Sequence, residues 1–293
     1  MNAPASIPTS PPLRRHRRWL RRIVRGSLWL AILYCLAAYF VLPTMWRHYE
    51  HHPAMEGQPK TTETPSGLPG DPLNVVLVGE EKEIVRAFLD AHWYPADKTT
   101  LATGLEIAER VVLDRPYPTV PISTLRLWDR RQDLAFEKSS TASPRQREHV
   151  RLWRSDDHGL DGRPLWLAAA TYDDRVGFSH LTAQITHHIA ADVDAERDRL
   201  MSDLVAAGQL IRRYQTSGVG PTLNGRNGGG DRYFTDGDVD VGVVSPGNVR
   251  QREAPVELSN PPAVDAKNRV WEWIRPLLND ASAAGAAVQQ ELH

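Results

Sequence analysis

The chain has 293 residues, 41% hydrophobic and 24% charged, which is ordinary globular material for one sizeable domain. Its formal net charge of -1 conceals an asymmetry: residues 1–25 hold seven arginines and no acid, so the remaining 28 basic and 36 acidic residues leave -8 on residues 26–293. An acidic body of this kind excludes general nucleic-acid binding, which needs clustered cations to displace counterions from phosphates.

In chain order, the first element is the basic stretch itself: Arg14, Arg15, Arg17, Arg18, Arg21, Arg22 and Arg25. Residues 26–46, from Gly26 to Trp46, then run without a charge. At 1.5 Å per residue this makes roughly 30 Å of helix, about the thickness of a bilayer core, and predicts a single N-terminal transmembrane anchor. Trp29 and Trp46 stand towards its ends, where amphipathic rings favour the headgroup level. The arginine bias predicts a cytoplasmic tail over 1–25 and a periplasmic C-terminal part, the chain sitting once in a bacterial inner membrane. A cleavable signal peptide fits less well, because no A-x-A-like site follows Val41. The single cysteine, Cys35, lies inside the span, so the rest of the chain has no disulfide and no thiol chemistry.

Residues 47–70 mix Pro53, Pro59, Pro65 and Pro69 with glycines and polar residues, and read as a linker. A domain over 71–260 follows. It opens with a buried strand at Leu73–Gly79 and a helix carrying Ile84, Val85, Phe88 and Leu89, and Thr103 to Val112 fits a second helix. Strands are expected at Thr124–Trp128, Leu134–Lys138, Glu148–Arg154, Leu165–Tyr172 and Leu181–Ile189. Asp192 to Ala207 reads as a capped helix ending at Gly208. Two further strands, Gln209–Thr216 and Asp238–Ser245, are joined by a glycine-rich loop over Gly218–Gly230. A helix near Val264–Leu278 and a fraying alanine-rich tail fill residues 261–293. The fold class is α/β or α+β: one mixed-sheet globular domain with flanking helices behind the anchor.

Most short motifs fail on their own chemistry. Gly177-Phe178-Ser179-His180-Leu181 lacks the last glycine of a nucleophile elbow. Asp236, Asp238 and Asp240 lack the glycine and glutamate of a calcium loop. Gly225–Gly230 is not followed by the lysine of a phosphate loop, and no cofactor is implied. His187 and His188 point to opposite faces of a strand, which leaves one of them with Asp192 or Asp194 as the only route to a metal site. Strand alternation is more informative. It sets Arg147, His149, Arg151 and Trp153 opposite Val150 and Leu152, and aligns Thr182, Gln184, Thr186 and His188. If both rows share one sheet face, Arg147, Arg151 and Gln184 form a candidate anion-binding set, with His149 and His188 as candidate proton carriers. The bland alternative is a solvated sheet face with ordinary surface charge.

Seven segments together resemble the LssY C-terminal domain family: GDPLNVVLVG at 70–79, WYPAD at 93–97, YPTVPIS at 117–123, RQDLAFEK at 131–138, SPRQREHVRLW at 143–153, TYDDRVGFS at 171–179 and ITHHIAADVDAERD at 185–198. The resemblance implies a domain appended to a bacterial membrane protein, with a link to secretion in the family label, and it implies no catalytic residue. Two functional classes follow. One is a periplasmic binding or interaction module that recruits an envelope protein. The other is an enzyme or ligand-binding domain for an anionic envelope lipid or glycan, such as a lipid phosphate. A concave pocket lined by Arg147, His149, Arg151 and His188 favours the second; an open, convex face favours the first.

Overall fold

The computed structural model describes residues 14–41, 57–96, 124–139, 146–178 and 185–291. The chain divides into two compact units, Met1–His48 and Tyr49–His293. In the first, helix α1 (Arg14–Leu36) continues into a π-helical turn at Ala37–Val41. Residues Trp19–Val41 are long and apolar enough to cross a membrane, and none of that stretch is buried against protein. The helix therefore starts upstream of the expected Gly26 and takes Arg21, Arg22 and Arg25 into its first turns. Trp46 and the expected end of the span lie outside the described residues.

The second unit is built on a nine-stranded mixed sheet. Its strands are β3 (Val75–Val78), β4 (Tyr94–Pro95), β7 (Leu134–Ser139), β8 (Arg147–His158), β9 (Pro164–Phe178), β10 (Ile185–Ile189), β11 (Leu210–Ser217), β14 (Asp238–Val244) and β15 (Val256–Glu257). The order is β15-β11-β14-β3-β9-β8-β7-β4, with β10 also on β9. Pairs β14–β3 and β11–β15 are parallel and the others antiparallel. A small sheet is formed by β1 (Thr61–Glu63), β2 (Pro69–Pro72), β5 (Arg126–Leu127) and β6 (Arg130–Arg131). A separate hairpin joins β12 (Thr222–Arg226) to β13 (Arg232–Thr235).

Alternation sorts the large sheet into two faces. On one, Val75, Leu77, Phe136, Val150, Leu152, Trp166 and Ala168 meet helices α2 (Glu81–Asp90) and α3 (Val193–Ala206). Phe88 of α2 stacks on Phe136 with centroids 4.2 Å apart. On the other, Val76, Leu165, Leu167, Val239 and Val241 pack with Leu125 and Leu127 at β5. The Asp192 carboxylate caps α3 by accepting from the Ala195 N–H, and Gly208 at φ 68° closes it. A Cβ at Gly208 would fall 2.5 Å from the Gln251 carbonyl oxygen, so glycine is required there.

Asn74 links two strands. β3 and β10 lie in line along one edge of β9: Asn74 N–H donates to Ala168 O and Ala190 N–H to Tyr172 O. Between them the Asn74 side chain donates to Ala170 O and accepts from Ala170 N–H, both at 2.9 Å. It occupies the place of a missing strand residue.

Three sequence expectations change here. Residues 61–72, within or next to the expected linker, carry β1 and β2, and Thr62 is fully buried. The glycine-rich loop holds the first strand of a hairpin. The last helix, α4 (Pro262–Glu291), runs 30 residues rather than fraying after Leu278. It is held down by Val264 and Trp271 and by ion pairs from Lys267 to Asp238 and from Arg275 to Asp192 and Asp198. The helix expected at Thr103–Val112 lies outside the described residues.

Candidate functional site

The β8–β9 register pairs Arg147 with Asp173, His149 with Thr171 and Arg151 with Ala169. Directly opposed residues share a face, so these side chains stand together on the face away from α2 and α3. On β10, His188 opposes Arg175 and joins them. Of the second row only the His188 side chain is described, and it stands with the first row. Gln184 and Thr182 lie outside the described residues.

Two observations describe the surroundings of this cluster. The cluster is not solvent-facing: His149, Arg151 and His188 are at most 3% exposed. Nor is opposite charge scarce. His149 Nδ1 lies 3.4 Å from the Asp173 carboxylate, and Arg151 Nη1 lies 3.6 Å from Asp71 on β2. Arg147 donates to Glu137 at 3.1 Å. His188 Nδ1 is 2.5 Å from Asp231, whose other oxygen accepts from the Ile189 N–H. Asn227 donates to both Asp71 and Asp231, closing a path from Arg151 to His188. Neither an open face nor a cationic pocket results, but a covered network in which cations and carboxylates alternate.

Burial pushes the Asp173 carboxyl up to about 7, with Asp71 and Asp174 adding and Arg151 and Arg147 opposing. Asp71 is raised as well, first by burial and then by Asp231, against Arg151 and Asn227. Burial thus favours the neutral, protonated form of Asp173, which stands beside His149. A cleft of about 490 Å³ lies at the other end of β8, lined by Arg130, Arg154 and His158 together with Glu81, Asp133 and Asp156. Its mixed charge selects no single ligand sign.

Of the residues considered for a metal, His188, Asp192 and Asp194 each meet other partners, and the His187 side chain lies outside the described residues. His188 meets Asp231. Asp192 accepts from Arg275 at 2.7 Å, and Asp194 accepts from the Thr235 hydroxyl and the Asp236 N–H. Among the described residues no group of three His, Cys, Asp or Glu is arranged for an ion. The run Asp236, Asp238 and Asp240 is met by cations: Arg197 on Asp236 at 2.8 and 2.9 Å, Lys267 on Asp238 at 2.6 Å and Arg213 on Asp240 at 2.5 Å.

Sequence reasoning missed Asp71, Asp173, Asn227 and Asp231. Only Asp173 had a local signal, since extending the strand two residues beyond Thr171 puts it on the face of His149. On the opposite face it also missed Glu148 and Glu196, at 4% and 2% exposure. Burial, and then the Glu148 charge, push the Glu196 carboxyl up to about 9. Below about 4.5 the group is protonated in folded and unfolded chains alike; between there and about 9 only the folded chain holds the proton. Stability therefore falls as pH rises through that window. Glu196→Gln is expected to unfold like the parent at pH 4 and to be more stable by on the order of 2 kcal/mol at pH 8.5. Urea midpoints at the two pH values check this; a variant weaker at pH 8.5 contradicts it.

Compared with known proteins, residues 55–239 match the family model described as the LssY C-terminus. No curated protein and no solved structure matches. The matched stretch runs from just before β1 to the start of β14 and so contains every member of the Arg–His–Asp network.

Proposed function

The chain belongs to the family of the LssY C-terminus, and from that premise we propose that it is a binding or interaction module of the bacterial cell envelope. Its apolar helix anchors it in the inner membrane with the N-terminus cytoplasmic, and the β-rich domain works in the periplasm on an envelope partner. The observation that carries this reading is the charge step across the uncharged run 26–46: seven arginines before it, and in the twenty residues after Trp46 only Arg47 and Lys60. The carboxyl groups already beside Arg147, Arg151, His149 and His188 support a module over a ready-made anion site.

Alkaline phosphatase fused after His293 is expected to be active, and a reporter that works only in the cytoplasm silent. The reverse pattern defeats the topology. Extraction is expected to need detergent, and release by high salt alone removes the anchor from the account.

A second reading, a site acting on an anionic lipid or glycan, is favoured by two His–carboxylate pairs and two arginines on one face. It requires access to that covered face. Protection of His149 and His188 from diethyl pyrocarbonate by phosphate-bearing lipid, and not by neutral lipid, supports it; equal modification in both sinks it.

A further inference from the structure

Helix α4 uses only one side to dock. Val264, Lys267, Trp271 and Arg275 face the domain, and the opposite side stays in solvent. On that side Val270, Trp273 and Leu277 are 59%, 73% and 59% exposed. At about 100° per residue the three fall within roughly 60° of arc, a single apolar stripe. Ala266 and Ala284 extend it on the same line, and both are exposed. The helix runs on through Pro276, and an exposed tryptophan between two exposed aliphatics on it forms a contiguous apolar stripe of the kind that marks an interaction surface.

The stripe is complementary to itself. When two copies of α4 are laid antiparallel with the twofold axis at position 275, Trp273 of one faces Leu277 of the other. Ala266 then faces Ala284, so the backbones can approach closely at both ends. Arg269 comes level with Asp280 to within roughly 2 Å along the axis, given the rise of 1.5 Å per residue. Both are exposed on the Trp273 flank of the stripe, and each side of the pair supplies one of these contacts. A parallel arrangement would leave Arg269 and Asp280 roughly 16 Å apart along the axis and on opposite sides of the seam, so this contact is lost. The geometry points to an isologous dimer through antiparallel α4 helices, the occupant of the stripe being a second copy of this chain.

A single helix pair is a small interface, so association is weak for a freely diffusing domain. Confinement of the full chain to a membrane by residues Trp19–Val41 raises the local concentration without adding a contact. The dimer therefore belongs to the anchored protein.

The test uses the full chain with Cys35→Ser, in phosphatidylcholine vesicles. Chains carrying Ala266→Cys are mixed with chains carrying Ala284→Cys and treated with a short bis-maleimide. A cross-linked dimer is expected in the mixture and in neither chain alone, because like positions lie roughly 27 Å apart along the helices. Trp273→Asp in both chains is expected to cut the yield about tenfold, with the circular dichroism spectrum unchanged. Arg269→Asp lowers it several-fold, and Arg269→Asp with Asp280→Arg restores it. The proposal is overturned by absence of a mixed product or by cross-linking of like positions. It is equally overturned by a yield indifferent to Trp273→Asp, or by a double reversal that fails to recover. Loss of Trp273 fluorescence to brominated lipid, judged against Trp273→Phe, together with no mixed product assigns the stripe to the bilayer instead.

Discussion

Replacing Arg197 by methionine is expected to destabilise the domain by roughly 3–5 kcal/mol, a large part of what a domain of this size possesses. Arg197 is 3% exposed and donates to both oxygens of Asp236, at 2.8 and 2.9 Å, and to the Asp238 carbonyl at 3.1 Å. Asp194 lies 3.5 Å away and is itself fully buried. Burial opposes the guanidinium charge, but Asp236, Asp194 and Asp198 together hold its pKa well above the ordinary arginine value. Methionine fills most of the volume and removes the charge, leaving Asp194 and Asp236 as buried carboxylates without their principal cation. Thermal unfolding of the detergent-solubilised full chain, followed by near-ultraviolet circular dichroism, measures the loss. Adding Asp236→Asn to Arg197→Met is expected to recover part of it. A single variant within about 1 kcal/mol of the parent would refute this account of how α3 is fixed to the sheet.

The second large effect is expected at Arg151. Arg151→Ala should cost about 3 kcal/mol, because the side chain is buried beside Asp71 and its charge opposes the raised pKa of Asp173. Arg147→Ala should cost no more than about 1 kcal/mol, since the Arg147–Glu137 pair is partly open to solvent. The same unfolding experiment compares the two, and equal effects would mean that the covered network does not contribute to the fold as described. Below neutral pH the difference should narrow. Asp173 and Asp71 both bind protons more readily in the folded chain than their ordinary values allow, and once neutral they no longer need the guanidinium.

What the sequence made legible was local. The cap at Asp192 and the stop at Gly208 bound α3 within a residue, because both depend on chemistry inside one turn. The alternation of Arg147, His149 and Arg151 with Val150 and Leu152 was read correctly, since a strand's period is a property of the strand. The partners were not legible. Asp71 and Asp231 come from β2 and from the turn before β13, and no periodicity in β8 records which distant strand will lie above it. Strands of three or four residues such as β1 and β2, set among prolines and glycines, carry too few alternations to stand out from a linker. The turn at 227–230 looked featureless, yet Asn227 orders it by accepting from the Gly229 and Asp231 N–H groups. The difference between a solvated face and a covered network was therefore decided entirely by pairing across the chain.

Asn74 makes residue choice at one position a condition for an unbroken sheet edge. Its amide must present a donor and an acceptor together, at the reach of one methylene, to the N–H and C=O of Ala170, and it also donates to the Val193 carbonyl at 3.2 Å. Aspartate offers no donor, leucine offers neither group, and glutamine overshoots by a carbon. Slow hydrogen–deuterium exchange at the Ala170 amide would thus be protection conferred by a side chain. The seam between β3 and β10 is then an intrinsic reporter: Asn74→Leu should speed exchange at Ala170 while Ala168, held by the backbone, stays slow.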